Sequence, residues 1–226
     1  LATEAGIVGR ASVLRNTRAC LAILEESRPD RLFTLGGTCA VELGPVSYLN
    51  RIYGGDLAVV WLDAHTDLNT PASSPSGHFH GMPLRNLLGE GDGELVSLCR
   101  PALRPEQVLL VGVRDLDPPE AEHVRSAGLR VLGVETTGDQ LAEEIERAGF
   151  TRVYVHLDLD VLEPADFDEV ICPVPGGMRL ETLVEILGVL QERTDVVGDS
   201  LLEYVPSASP ALEAVEGICR SAGVLE

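Results

Sequence analysis

"LAVVWLDAHTDLNTP", Leu57 to Pro71, joins two patterns that seldom meet. Leu57 to Leu62 is an unbroken apolar run, which reads as a strand covered on both faces, as in a parallel sheet between helices. The next residues place Asp63, His65 and Asp67 at every second position. The plain reading of Asp, Asn, Thr and Pro behind a strand is a loop. The alternative is that the two aspartates and the histidine hold something charged between them.

Working outward, five further apolar runs have strand length: Arg31 to Leu35, Gln107 to Val113, Leu129 to Val134, Arg152 to Leu159 and Val196 to Leu202. Helical periodicity fills the gaps, over Ser12 to Glu26, Val41 to Asn50, Pro119 to Ala127, Gln140 to Ala148, Leu180 to Glu192 and Pro210 to Ala222. Such alternation predicts an α/β fold of three layers, α/β/α, with a mainly parallel sheet. No internal repeat or linker divides residues 1–226, so one domain is expected. Ligands of such folds sit beyond the carboxyl ends of the strands. The strand ends here lead into Gly36-Gly37-Thr38-Cys39, Asp63 to Asp67, Arg114 to Glu120, Asp158 with Asp160, and Glu203.

With 226 residues, 45% of them hydrophobic, the chain can bury a substantial core. A formal charge of -19 argues against nucleic acid or an anionic membrane as partner and favours cations. Five cysteines without CxxC or framework spacing suggest reduced thiols and a cytoplasmic setting. No apolar run is long enough to span a bilayer.

Asp63, Asp67, Asp158 and Asp160 are four carboxylates at strand ends with His65 among them, and gathering them is costly without cations. Oxygen donors with one imidazole suit manganese or a similar divalent ion, and carboxylates from two strands can bridge a pair. A metal pair can generate hydroxide from water at neutral pH. His80, in "SGHFHGMP", is either a loop histidine or a proton shuttle near that site. His156 is either a satisfied core histidine or a support to the metal ligands. Cys39 can be an inert buried thiol, a metal thiolate or a nucleophile, the last unsupported by any neighbouring base.

Taken together, "DAHTD" (Asp63 to Asp67), "SPSGHFHGMPL" (Ser74 to Leu84), "HLDLDVLEP" (His156 to Pro164), "PVPGG" (Pro173 to Gly177) and "LLEYVPS" (Leu201 to Ser207) resemble the motifs of the ureohydrolase family, the arginases, agmatinases and relatives. They run in the same order from about residue 10 to the end. The resemblance implies an arginase-like fold and a homo-oligomer, a trimer or hexamer. It also implies a hydrolase acting on linear amidines, at C–N bonds other than peptide bonds. Its substrate would be a small cationic guanidino compound, arginine or a relative, and its product urea or a hydroxyurea. Two divalent ions, manganese by resemblance, would be held by Cys39, Asp63, His65, Asp67, Asp158 and Asp160, and a metal-bridging hydroxide would attack. Asp67 would also handle the proton, His80 would shuttle it to the departing amine, and Glu203 would orient the guanidinium. Asn69, Ser76, His78, Asp117 and Glu120 would meet the amino-acid end. Other readings are an agmatinase, a hydrolase of other guanidino or formimidoyl compounds, and a metal-poor binding relative.

Three departures stand out. The family usually reads Gly-Gly-Asp-His where this chain has Gly36-Gly37-Thr38-Cys39, so a softer thiolate takes the place of an imidazole. His78 stands where the family has Asn. The family's first strand is not found before residue 10.

Overall fold

The computed structural model describes residues 1–207 and 211–225. A hairpin of β1 (Thr3–Glu4) and β2 (Ile7–Val8) precedes helix α1 (Arg10–Ser27). Then come β3 (Leu32–Leu35), a 3-10 turn over Cys39–Glu42, α2 (Leu43–Ile52) and β4 (Ala58–Leu62). The short helices α3 (Pro83–Leu87) and α4 (Gly93–Leu98) lead to β5 (Val108–Val111), α5 (Pro118–Ala127) and β6 (Arg130–Leu132). The rest is α6 (Gly138–Ala148), β7 (Arg152–Leu157), α7 (Leu180–Arg193), β8 (Asp195–Leu201) and α8 (Leu212–Ser221). Pro210, the start expected for the last helix, lies outside the described residues.

Six strands form one sheet in the order β3-β8-β7-β4-β5-β6, and every pairing is parallel. Both faces are covered. Val59, Trp61, Leu110 and Tyr154 pack with Leu14 and Leu21 of α1 and Leu43, Val46 and Leu49 of α2. Ala58, Val60, Leu62, Val153, Val155 and Leu157 face Leu141 of α6, Leu183 and Ile186 of α7 and Ile218 of α8. The inner strands β4 and β5 are therefore apolar on both sides, whereas the edge strands β3 and β6 leave Phe33, Leu35 and Val131 exposed. Each fully buried Leu, Ile or Val contributes roughly 1.5–3 kcal/mol. This is the three-layer α/β/α fold that the sequence predicts.

Element ends have local causes. Strand β5 stops at Val111, two residues short of the apolar run, because Gly112 turns to φ 87°. A Cβ on Gly112 would lie 2.6 Å from a Val161 methyl, so only glycine lets the chain after β5 approach the 3-10 turn after β7. Helix α6 begins before its apolar pattern does. The Gln140 N–H donates to the Thr137 hydroxyl at 3.3 Å, and the Thr137 N–H donates back to the Gln140 side chain at 3.0 Å. That reciprocal cap satisfies two otherwise unpaired donors. No helix among the described residues is long and apolar enough to cross a membrane.

Candidate metal centre

In-register pairing brings the strand ends level. Leu62 of β4 pairs with Leu157 of β7, so Asp63 and Asp158 leave the sheet side by side. The Asp158 N–H donates to the Leu62 carbonyl at 2.9 Å, and the Leu202 N–H donates to that of Leu157 at 2.9 Å. Glu203 thus emerges beside the two aspartates. Cys39 arrives from β3 on the 3-10 turn, where its N–H donates to Glu203 Oε1 at 3.1 Å. The turn after β4 is locked by its own aspartate, since the His65 N–H donates to Asp63 Oδ1 at 2.6 Å.

Three donor sets result, the ligand atoms of each lying within 4.8 Å of one another: Asp63, His65 and Asp160; Cys39, Asp63, Asp67 and His156; and Cys39, Asp158 and Glu203. Asp63 belongs to the first two and Cys39 to the last two, as sharing between adjacent ions requires. His65 Nδ1 lies 3.0 Å from Asp160 Oδ2 and 3.3 Å from Asp63 Oδ1. The Cys39 thiol donates to Asp158 Oδ2 at 3.0 Å.

The electrostatics fit cations. Burial, and then the charges of Asp63 and Asp158, push Asp67 well above the ordinary carboxylate range. Burial with Asp63 and Asp160 does the same to Asp158. Burial also works against charge on His65, but its contacts with Asp160 and Asp63 outweigh that and hold it protonated up to about 12. One imidazolium cannot neutralise so many carboxylates. Moreover Asp67 Oδ2, Glu203 Oε2 and His156 Nε2 are buried without any hydrogen-bond partner. Buried polar atoms are nearly always paired, so unpaired carboxylate oxygens of Asp67 and Glu203 around Cys39 mark a place suited to positive charge. Carboxylate, imidazole and thiolate donors suit divalent transition metals.

A cavity of about 260 Å³ opens over the centre, walled by Cys39, His65, Asp67, Asp158, Asp160 and Glu203. Asn69, Ser76, His80, Asp117 and Glu120 line its outer part. Asp63 is fully buried beneath it. His78 is exposed and set apart from the cavity wall, its ring edge-on to His80 at 5.9 Å. His80 Nδ1 lies 3.5 Å from Glu203 Oε1. Asn69 Nδ2 donates to Asp117 Oδ2 at 2.9 Å. Glu120 works mainly as a clamp, accepting from the Thr66 hydroxyl (2.8 Å), the Leu68 N–H (2.9 Å) and the Asp117 N–H (3.0 Å).

The structure adds residues that sequence reasoning passed over. Ser74, Ile171 and Cys172 join the cavity wall. The Arg114 guanidinium donates to the carbonyls of Gly112 (3.0 Å), Asp160 (2.8 Å) and Val174 (2.8 Å), tying three site loops together. Only the arginine in "RDLDPPE" hinted at it. Glu42 had no signal at all: it lies in the apolar stretch "CAVELG", yet is fully buried behind the centre.

Fold and site together define an α/β protein with a carboxylate-rich cluster, a candidate metal centre, at the carboxyl edge of a parallel sheet. A sequence profile described as the Arginase family matches residues 8–220. The arginase of Bacillus subtilis (strain 168) is 37% identical, over 81% of this chain and 67% of its own length. That of Staphylococcus aureus (strain MRSA252) is 34% identical, over 76% of this chain and 59% of its own. Among solved structures, arginase from Bacillus cereus superposes with a TM-score of 0.86 at 27% identity, covering all of this chain and 82% of that one. An Entamoeba histolytica arginase solved with L-ornithine shares the fold, with a TM-score of 0.88 at 24% identity over 96% of this chain and 78% of that one. The chain belongs to the arginase family.

Proposed function

We propose that the protein hydrolyses the guanidino group of arginine or a close relative, releasing urea and the corresponding amine. The observation that carries this reading is the shared use of Asp63 by two donor sets beneath a cavity that also presents Glu203 and His80. Cys39, Asp63, His65, Asp67, Asp158 and Asp160 would hold two divalent ions, manganese on the oxygen-rich His65 side. The chemistry that such ions supply is the polarisation and deprotonation of water at neutral pH.

The chain's own groups do the rest. Glu203 keeps Oε1 on the Cys39 N–H and leaves Oε2 buried and unpaired, ready for a planar cation. A guanidinium seated there places its central carbon over the carboxylate cluster. Asp67 Oδ2, equally unpaired, can accept a proton from the attacking water. His80 sits where an imidazole can pass that proton to the departing amine. Asn69 and Asp117, paired at 2.9 Å, and Ser76 at the rim offer contacts to an amino-acid end. Ornithine, present in the Entamoeba structure, is what arginine becomes when urea leaves. A homo-oligomer is proposed on the family likeness alone, and sedimentation checks it.

A metal-poor binding relative is the second reading, favoured by Thr38 and by Cys39, whose thiol is hydrogen-bonded to Asp158. Metal content per chain and urea release from arginine, N-hydroxyarginine and agmatine with added manganese separate the two. We expect urea from at least one of these compounds, and a loss of at least ~100-fold in kcat/KM on Glu203→Gln. A fully metal-loaded protein that releases urea from none of them overturns the hydrolase reading.

A further inference from the structure

We propose that His156 is a ligand of the metal centre, binding through Nε2 the ion that Cys39, Asp63 and Asp67 surround. The inference rests on the metal-centre reading above, and it assigns a donor outside the family-like set.

His156 lies on β7 and is fully buried, on the same sheet face as Tyr154 and Trp61. In a parallel strand buried against helices, an imidazole needs partners for both nitrogens or pays a desolvation cost of about 1–3 kcal/mol. One nitrogen is provided for. Nδ1 lies 3.2 Å from Glu42 Oε1, and the other oxygen of Glu42 accepts from the Tyr154 hydroxyl at 2.6 Å. Glu42 is thus fixed as an acceptor, which puts the proton of the neutral ring on Nδ1 and the lone pair on Nε2. Trp61, paired with His156 across β4 and β7, stacks on the ring at 3.5 Å and 12° and blocks its rotation.

That orientation leaves Nε2 pointing at the centre. It has no hydrogen-bond partner, and the nearest acidic atom, Asp63 Oδ2, is 3.6 Å away. Two acceptors facing each other in a buried space repel unless a cation lies between them. Nε2, the Cys39 sulfur and oxygens of Asp63 and Asp67 all lie within 4.8 Å of one another, and Asp67 Oδ2 is also buried and unpaired. A carboxylate holding the far nitrogen of a histidine is the usual support of a metal-bound imidazole, since it fixes the tautomer and raises ligand basicity. Glu42 occupies that position.

The assignment makes sense of Cys39. Where the resemblance expects an imidazole, this chain has a thiol, and His156 would return an imidazole to the same ion from β7, two strands away from β3. The set of one sulfur, one nitrogen and two carboxylates is softer than that of Asp63, His65 and Asp160. The two positions are accordingly unequal, the Cys39–His156 position favouring zinc or cobalt over manganese.

The rival arrangement is a doubly protonated His156 clamped between Glu42 and Asp63 that touches no metal. Zinc binding to the metal-stripped full chain, followed by equilibrium dialysis and by long-range proton–nitrogen NMR of the 15N-histidine-labelled protein, distinguishes them. We expect two zinc ions per chain and two metal-bound imidazole nitrogens, one from His65 and Nε2 of His156, with His156 Nδ1 still protonated. His156→Asn should remove the second signal and weaken one zinc site by ~10- to 100-fold or more. Glu42→Gln, a milder change should the first variant fail to fold, should keep the signal and weaken the same site by a smaller factor. A wild-type spectrum in which both His156 nitrogens carry protons in the zinc-loaded protein overturns the assignment, as does a chain that binds no zinc beside Cys39. Neither outcome depends on turnover. A protein with both imidazoles on metal that releases no urea would refute the hydrolase and leave His156 as a ligand.

Discussion

Asp67 and Glu203 have backbone φ angles of 54° and 59°, in the left-handed region that residues with a Cβ rarely adopt. Each such residue costs of order 1–3 kcal/mol, and both belong to the centre. The turns aim Asp67 Oδ2 and Glu203 Oε2 where no protein group meets them, so strain and unsatisfied polarity share one purpose. Asp199 on β8 shows a buried carboxylate without that purpose. One of its oxygens has no partner, and burial, against a weaker pull from Arg31, raises its pKa to about 7. A raised acid pKa means that the folded chain holds a proton that the unfolded chain has released above about pH 4. Stability therefore falls as pH rises from about 4 to about 7. Asp199→Asn should raise stability at pH 8 by as much as about 4 kcal/mol and change little at pH 4, as urea unfolding at the two pH values would show.

At the scale of elements, the site is held by what the strands lead into. Arg114 follows β5, and its donors reach carbonyls beyond β7 and in the segment around Val174. Because a guanidinium stays charged and its acceptors are partly buried, Arg114→Ala should cost about 2–4 kcal/mol of unfolding free energy. Measured by denaturation, a loss below about 0.5 kcal/mol would show that the loops hold without it. The strands were legible because the inner strands of a parallel sheet between helices are apolar on both faces, and each of the six runs overlaps a strand. Their ends were less so. Leu159 closes the run from Arg152 but lies past the end of β7, in a 3-10 turn that bends Asp160 back toward Asp158, its N–H on Oδ1 at 2.9 Å. Helices α3 and α4 and the β1–β2 hairpin escaped notice, since six residues or fewer make too few turns for a period to show.

For the whole molecule, the fold gathers negative charge at one edge, and the proposed metal ions would neutralise it. Binding to the folded state alone stabilises it by about 2.7 kcal/mol per site at a free-ion concentration 100 times Kd. For a domain of this size that corresponds to roughly 5–10 °C in Tm per site. Calorimetry with manganese or zinc, and after chelation, reads this directly. A Tm that ignores both additions would mean that the carboxylate cluster is tolerated without metal.

The sequence by itself determined the layers, the parallel sheet and the two carboxylate-bearing strand ends, Asp63 to Asp67 and Asp158 with Asp160, because each follows from a local period or a spacing of two. Register is a different matter. Nothing in "CAVELG" or "YVHLDL" says that Glu42, Tyr154 and His156 meet, for they lie 112 and 114 residues apart in sequence. Nor does it say that Trp61 lies against His156 with its nitrogen turned to Asp63. Pairing of β4 with β7 places Trp61 beside His156, and packing of the 3-10 turn against that face supplies Glu42. Only the tertiary structure could turn an ambiguous core histidine into one whose far nitrogen meets Glu42 and whose near nitrogen has no hydrogen-bond partner, because that distinction depends on what lies around both ring nitrogens.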